Sequence, residues 1–286
     1  MSLFPRAARA AGGPQGRDGP ERARRSHRST VLSLVVALVV LPACAAIVAP
    51  PAPERPSRQW EAADILESLA RREREFRSLK ALASVRYAGP DGKKGFQEAV
   101  VVERPERLRL ETLSFLGTIL IVTANAQEIT GYHIREGAFV RGRPTKENLL
   151  RLAEIPLELR EMTALLLGLP PVALDGRWRQ DGNALVFAGA DGGGDVVRFE
   201  SAEAVPTGWE RTGSGGTVEL SATFADYTPT RAGLFPTRID IESPGRGQRL
   251  EIRYQGPELN LPLAPELFTQ QKPEHATEFP IEAVGR

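Results

Sequence analysis

Apolar positions from residue 60 to about residue 80 recur at helical spacing. Leu66, Leu69 and Phe76 are three and seven residues apart, and charged residues occupy most of the other positions. This spacing is typical of an amphipathic helix, whose apolar stripe needs a surface to cover. The pattern therefore predicts one N-terminal helix that packs against another layer.

The pattern then changes to a period of two, which indicates strands with one buried face. Between residues 107 and 112, Leu108 and Leu110 alternate with charged side chains. Turn-forming residues interrupt such segments, and the connections between them are too short for parallel crossovers. We expect an antiparallel meander over residues 81–142.

Helical patterns return in the middle of the chain. Residues 145–154 begin at Thr145, a residue type that favours N-caps, and residues 157–168 end at Gly168 before two prolines. Five more strand patterns follow between residues 183 and 256, separated by glycine- and proline-containing turns. The chain thus predicts one N-terminal helix, two central helices and about ten or eleven strands.

So few helices cannot cover a large flat sheet. The fold class that follows is mainly β with α: a strongly curved antiparallel sheet, an open or half β-barrel, with the N-terminal helix and short helices covering its mouth. Such an arrangement encloses a cavity. Periodicity does not decide whether side chains or a ligand fill it.

Composition changes this picture little. The 286 residues are 41% hydrophobic, which is enough for one domain with flanking segments. Thirty-seven basic and 36 acidic residues leave a formal charge of +1. Because this balance gives no overall field that attracts nucleic acid, no nucleic-acid partner is expected.

Residues 1–43 have the pattern of a lipoprotein signal peptide. A basic leader precedes an apolar run from Val31 to Leu41, which is short for a permanent membrane span. The run ends in Leu-Pro-Ala-Cys, which resembles the bacterial lipobox and makes Cys44 the expected attachment site for palmitate-type acyl chains. Cys44 is the only cysteine, so an intramolecular disulfide is impossible. The alternative is a buried cysteine in a transmembrane anchor.

Three segments are expected after the signal peptide. Residues 44–58 form a lipidated N-terminus with a proline-rich tether, and residues 59–268 form the folded domain. Residues 269–286 form a C-terminal tail. Prolines around that junction suggest that the tail lies along the surface and then becomes disordered.

The residue pattern offers no catalytic or metal-binding machinery. His27, His133 and His275 lie in the leader, on a strand and in the tail, so no pair has ligand spacing. Glycine-rich stretches lie between strands and do not open helices, which argues against a phosphate site. We therefore expect a protein that is not an enzyme and that has no catalytic residue, metal or cofactor.

One hairpin tip breaks the usual turn chemistry. Tips normally carry Asn, Asp, Gly or Ser, whereas residues 114–117 place Phe115 and Leu116 before Gly117. If exposed, each of the two large side chains leaves about 2 kcal/mol of burial energy unrealised. The favoured interpretation is that the tip contacts a membrane or cargo. The alternative is that both side chains fold back and cap the sheet.

Three stretches, in this order, resemble the LolB family, whose members accept lipoproteins from a periplasmic carrier and insert them into the outer membrane. They are SFLGTIL at 114–120, IPLELREMTALLLGLPPVAL at 155–174 and DYTPTRAGLFPTRIDIESPGRGQRLEIRY at 226–254. In that family a leucine of a Pro-Leu-Gly tip is needed for membrane insertion. Here Leu116 and Gly117 match, and Phe115 replaces the proline. The resemblance covers most of residues 60–265 and implies the LolA/LolB lipoprotein-localisation fold.

The resemblance implies a lipid-anchored chaperone on the periplasmic face of the outer membrane. It would bind acyl chains of lipoproteins in a hydrophobic cavity and help to insert them into that membrane. Its partners would be the membrane, through the N-terminal acyl chains, the lipoprotein cargo and a LolA-like periplasmic carrier. A monomer is expected. The competing function is an envelope lipoprotein of the same fold that serves as a structural or scaffolding subunit, without lipid transfer.

The inward faces of the predicted strands and of the second central helix supply a candidate lining for the acyl cavity. An ordinary packed core is the alternative for each residue. The candidates are Leu108, Leu110, Ile119, Ile121, Leu165, Leu166 and Leu169.

Overall fold

The computed structural model describes residues 60–153, 156–189, 192–200 and 202–283. The predicted signal peptide, Cys44 and the tether lie outside these residues.

The described residues form three α-helices, three short 3₁₀-helices and fourteen strands. The α-helices are α1 (Ala62–Glu75), α2 (Lys146–Ala153) and α3 (Leu159–Leu166). The strands are β1 (Ser78–Gly89), β2 (Gly92–Glu103), β3 (Arg107–Ser114), β4 (Gly117–Ala124), β5 (Ile129–His133), β6 (Ala138–Gly142), β7 (Trp178–Asp181), β8 (Ala184–Ala188), β9 (Gly194–Phe199), β10 (Pro206–Thr212), β11 (Val218–Thr230), β12 (Gly233–Ser243), β13 (Gln248–Leu259) and β14 (Thr277–Pro280).

All fourteen strands belong to one sheet, in the order β14-β6-β5-β4-β3-β2-β1-β13-β12-β11-β10-β9-β8-β7. Neighbours pair antiparallel, except that β14 runs parallel to β6. Strands β14 and β7 are the two edges, so the curved sheet does not close. The predicted fold class, an open curved sheet with a few helices, is confirmed.

The sheet has more strands than the ten or eleven predicted. The additional strands are β7, β10 and β14, and each lacks a clear alternating pattern. β7 has four residues, three of them exposed; β10 begins with a proline and contains a glycine; β14 is an exposed edge strand. Short strands of this kind are defined by their neighbours and not by their own sequence.

Helix α1 is shorter than the helical pattern of residues 60–80 suggests. It ends at Glu75, and β1 begins at Ser78. Phe76, just past the helix, is fully buried with its ring edge-on to Phe235 of β12, at 5.9 Å between ring centres. From Leu79 onward, buried and exposed residues alternate as a strand requires.

The two faces of the sheet differ in chemistry. We call the face that carries Leu108 the inner face; it joins residues of α1 and α3 in one apolar core. The outer face of β1, β12 and β13 carries arginines opposite carboxylates, such as Arg86 with Glu251 at 2.9 Å. Exposed pairs of this kind add little stability each. They do show which face meets water.

The C-terminal segment is attached to the sheet, in contrast to the disordered end expected from the sequence. Asn125 of the β4–β5 connection donates a hydrogen bond to the Phe268 carbonyl at 3.2 Å, and Tyr132 of β5 bonds His275 at 2.8 Å. Residues 277–280 then form β14. Phe268 and Ile281 are almost fully buried, so apolar anchors hold this segment.

Candidate functional site

An apolar cavity of about 260 Å³ lies between the inner face of the sheet and the central helices. Strands β1 to β4, β12 and β13 form its wall, and Leu152 of α2, Leu157, and three residues of α3 cover it. The α3 residues are Met162, Leu165 and Leu166. Leu157 and the residues of α3 therefore both cover the cavity and belong to the apolar core.

The strand register orders the lining into rows. Lys94 pairs with Tyr87, near the β1–β2 turn, and Glu98 pairs with Thr112. Further along β2, Val100 pairs with Leu110, which in turn pairs with Val122. Charged and hydroxyl groups therefore lie toward the end of the sheet that carries the β1–β2 and β3–β4 turns, which we call the tip end. The row beyond them is wholly aliphatic.

Glu98 places a carboxyl group among apolar side chains of the lining. The Thr112 hydroxyl donates a hydrogen bond to its Oε1 atom at 3.1 Å. Burial raises the pKa of Glu98 to about 7, although the Thr112 hydrogen bond acts in the opposite direction. Near neutral pH the group is thus present in both neutral and ionised forms.

Sequence reasoning missed Glu98 by assigning acidic residues to exposed strand faces. The signal was there, because Phe96, Glu98, Val100 and Val102 follow a period of two and three of them are apolar. A carboxyl in register with apolar residues belongs to the buried face.

Three of the predicted lining residues, Leu110, Leu165 and Leu166, do line the cavity. Leu108 and Leu169 are buried in the core, at 0% and 1% exposure, but lie outside the lining. These two positions are packed core, which was the alternative for each residue.

The placement of Ile119 and Ile121 in the lining is wrong. Counting from the Ser114–Gly117 pair would set Ile121 opposite Leu110, but a β-bulge between Thr112 and Leu113 shifts the register by one residue. Because a one-residue shift exchanges the two faces of a strand, Leu120 and Val122 line the cavity instead. Ile121 then pairs with Glu111.

The β3–β4 turn presents Phe115 and Leu116 to solvent. Phe115 is 95% exposed and Leu116 is 70% exposed, so neither folds back onto the sheet. The Ser114 hydroxyl donates to the Gly117 carbonyl at 2.9 Å and accepts from the Leu116 backbone N–H at 3.2 Å. Gly117 has a φ of +105°, which disfavours any other residue. Local bonds therefore fix the turn without using either large side chain.

The tip, which carries Phe115 and Leu116, lies close to the Glu98–Thr112 pair, which we call the polar row of the cavity. Thr112, which holds Glu98, precedes Phe115 by three residues, or about 10 Å of strand. The hairpin turns at this end carry charges of both signs. They are Asp91 in the β1–β2 turn, Arg135 and Glu136 in the β5–β6 turn, and Arg246 in the β12–β13 turn.

The described residues contain neither a cluster of metal ligands nor a helix suited to cross a membrane. No group of three or more His, Cys, Asp or Glu residues among them is arranged to hold a metal ion. None of their helices has the length and apolar character needed to cross a membrane.

Comparison with known proteins shows which solved structures have a similar fold. No protein-family model matches the chain, and no curated protein matches it. A solved domain described as an outer membrane lipoprotein-sorting protein, from Vibrio parahaemolyticus, is similar with a TM-score of 0.50 and 13% identity, covering 73% of this chain and 97% of that chain. A DUF1329 family protein from Desulfovibrio piger gives a TM-score of 0.52 and 9% identity, covering 72% of this chain and 96% of its own.

A LolA superfamily protein from Nitrosomonas europaea is similar at a TM-score of 0.48 and 14% identity, covering 74% of this chain and 98% of that one. At identities of 13% and 9%, the likeness to the first two structures shows a shared fold. The chain has the open, curved-sheet fold of the Vibrio parahaemolyticus domain.

Proposed function

We propose that this chain is a LolB-like, lipid-anchored protein that holds acyl chains of lipoproteins in its inner cavity and helps to insert them into the outer membrane. The observation that carries the proposal is the exposed Phe115–Leu116 tip at the same end of the sheet as the polar row of the cavity. The shared fold with a lipoprotein-sorting domain supports it.

The cavity suits part of an acyl chain. Its volume of about 260 Å³ is just below that of common small-ligand pockets, roughly 300 Å³ and above. The lining is mostly aliphatic, and each CH₂ group buried there contributes about 0.8 kcal/mol. A flexible hydrocarbon segment therefore matches both the size and the chemistry of the site.

The tip suits a bilayer. Burial of Phe115 and Leu116 in lipid would recover about 2 kcal/mol for each side chain. Arg135 lies beside the tip, where its guanidinium donates to the Ser114 hydroxyl at 3.4 Å, and it would face the headgroups, where a basic residue adds about 1 kcal/mol next to anionic lipid. The tip thus combines an apolar insertion element with an adjacent basic residue.

The sequence-predicted anchor would bring the tip to the membrane. Acyl chains on Cys44 and a flexible tether over residues 44–58 would keep the domain within reach of the bilayer, so that insertion of the tip becomes an intramolecular event. Cargo would arrive from a LolA-like periplasmic carrier. Its transfer would follow increasing affinity for acyl chains from carrier to this protein to bilayer, without a cofactor.

The direct test is Leu116→Glu in the full chain, with Leu261→Glu as the matched control. Leu261 is an exposed leucine, at 39%, that follows β13 at the opposite end of the sheet. Both variants are expected to fold and to become acylated. Delivery of acylated cargo to vesicles is expected to fall in Leu116→Glu and to persist in Leu261→Glu.

Equal delivery by the two variants would contradict the role of the tip. The scaffold alternative makes a different prediction, which is that the full chain binds no fluorescent fatty-acid probe. Saturable binding of such a probe would remove that alternative.

A further inference from the structure

The polar row of the cavity needs an explanation beyond hydrocarbon binding. A purely aliphatic lining would bind an acyl chain without the cost of burying a carboxyl group. Glu98 lies on the inner face of β2, and its neighbours along that face are Phe96 and Val100. A polar group kept in an apolar cavity points to a polar atom in the ligand.

Glu98 has one oxygen available for such an atom. Its Oε1 accepts the Thr112 hydroxyl, and no described residue bonds its Oε2. The α3 residues that line the same cavity are Met162, Leu165 and Leu166, none of which offers a polar side chain. In its neutral form a carboxyl group donates one hydrogen bond, and an ionised one only accepts.

We infer that Glu98, positioned by Thr112, donates a hydrogen bond to the carbonyl oxygen at the head of the bound acyl chain. The site would therefore select acyl esters or amides over plain hydrocarbon. The inference rests on the proposed function, because it requires an acyl chain in the cavity. The tail of that chain lies in the aliphatic row of Val100, Leu110 and Val122, and the carbonyl lies toward the tip end.

The position of Glu98 agrees with this orientation. Glu98 lies four residues, or about 13 Å of strand, from Lys94 along β2. Its partner Thr112 lies about 10 Å of strand from Phe115 along β3. A chain that enters tail first from the tip end brings its head group last, next to Glu98. The hydrocarbon tail then fills the part of the cavity lined by the aliphatic row.

The hydrogen bond makes binding sensitive to pH. The pKa of Glu98 is raised to about 7 by burial, so that the donor form is lost as the pH rises through neutrality. The other titratable groups that line the cavity are Tyr87 and Lys94. Tyr254, on β13, donates to the Leu166 carbonyl, and burial together with Glu98 raises its pKa, so it stays neutral throughout this range.

The test compares three probes of similar size: methyl decanoate, n-undecane and decylamine. Each is titrated against a fluorescent apolar dye bound to the full chain, at about pH 5.5 and about pH 8.5. The variants are Glu98→Gln, which keeps a donor at every pH, and Glu98→Met, which keeps the shape and removes the donor. Circular dichroism at both pH values checks that each variant is folded.

At the lower pH the unmodified chain is expected to bind the ester about tenfold more tightly than the alkane, as one hydrogen bond allows. This preference should disappear at the higher pH. Glu98→Gln should show it at both values, and Glu98→Met at neither.

Several results would each overturn the inference. One is an ester preference that survives in Glu98→Met, and another is a Glu98→Gln variant with the same pH dependence as the unmodified chain. The third is tighter binding of decylamine than of the ester, with loss in Glu98→Gln, since Glu98 would then pair with an ammonium group. Failure of all probes to displace the dye would overturn the proposed function as well, whereas equal binding of ester and alkane overturns this inference alone.

Discussion

The β3–β4 turn and the β11–β12 turn have the same internal bonds and opposite chemistry. In each, a hydroxyl residue pairs with a glycine, Ser114 with Gly117 and Thr230 with Gly233. In each, the hydroxyl donates to the glycine carbonyl and accepts from the backbone N–H two residues on. The two glycines have φ values of +105° and +113°.

The residues between these partners differ. The β11–β12 turn carries Arg231 and Ala232, whereas the β3–β4 turn carries Phe115 and Leu116. Since the backbone geometry is the same, folding of the turn does not require the large apolar pair. An exposed apolar pair that folding does not require is what the proposed membrane-contacting tip needs.

The largest expected effect comes from exchanging the central residues. The double variant Phe115→Arg with Leu116→Ala gives the β3–β4 turn the chemistry of its counterpart. It should fold normally and lose about 4 kcal/mol of membrane affinity, or a hundredfold or more, because the two side chains that would be buried in lipid are lost. Co-sedimentation with zwitterionic vesicles measures this loss. Unchanged binding would make the two turns equivalent in function as well as in geometry.

A second test separates the cavity from the tip. The pKa of Glu98 is about 7 in the folded chain and 4.5 as its ordinary value, so the folded state holds more protons between these limits and loses stability as the pH rises through them. Glu98→Gln should therefore be more stable than the unmodified chain at about pH 8, by at most about 3 kcal/mol, and similar to it below about pH 4.5.

Urea unfolding at the two pH values measures this difference. The tip exchange should leave the same pH dependence in place, since neither Phe115 nor Leu116 contributes to the pKa of Glu98. If the pH dependence persists in Glu98→Gln, a group other than Glu98 causes it.

The third test concerns the glycines. Gly117→Ala and Gly233→Ala each force a side chain into a left-handed conformation, and no atom closer than 3.8 Å would meet the new Cβ. Each should lower the free energy of unfolding by about 1 to 2 kcal/mol, and by similar amounts. Denaturant titration checks this equality. A much larger loss at one glycine would show that the turns differ in backbone energetics.

The smallest effect belongs to the hydroxyls. Ser114→Ala and Thr230→Ala remove matching hydrogen bonds, so each should cost about 1 kcal/mol or less in unfolding free energy. Vesicle binding should persist in both variants, because the apolar tip remains. Loss of vesicle binding in Ser114→Ala alone would mean that the Ser114 hydroxyl holds the apolar tip in its exposed position as well as closing the turn.

The sequence predicts much of this arrangement, because alternation and turn chemistry are local signals. Strands with clear alternation and the place of Leu116 at a hairpin tip follow from them, whereas its exposure was left open against the alternative of folding back. The lining residues Ile119 and Ile121 were misplaced because a single bulged residue reverses a face, and nothing in the local pattern marks it. Strand β14 escaped prediction because its partner β6 is far away in the chain.

The candidate site was predicted only in part. Leu110, Leu165 and Leu166 could be assigned from their apolar faces, but Glu98 was not, since a charged residue is usually exposed. Its role depends on the row it shares with Thr112, which is a property of the register between two strands.

Insertion of the tip into a bilayer can be measured directly with tryptophan as a depth probe in the two matched turns. Phe115→Trp and Arg231→Trp place the same reporter in the same backbone setting, and each is compared with the unsubstituted chain in vesicles that contain brominated lipid. If the tip inserts into the bilayer, brominated lipid should strongly quench the added fluorescence of Phe115→Trp and should quench that of Arg231→Trp only a little. Equal quenching, or none at Phe115→Trp while the protein is bound to the vesicles, would contradict insertion of the tip.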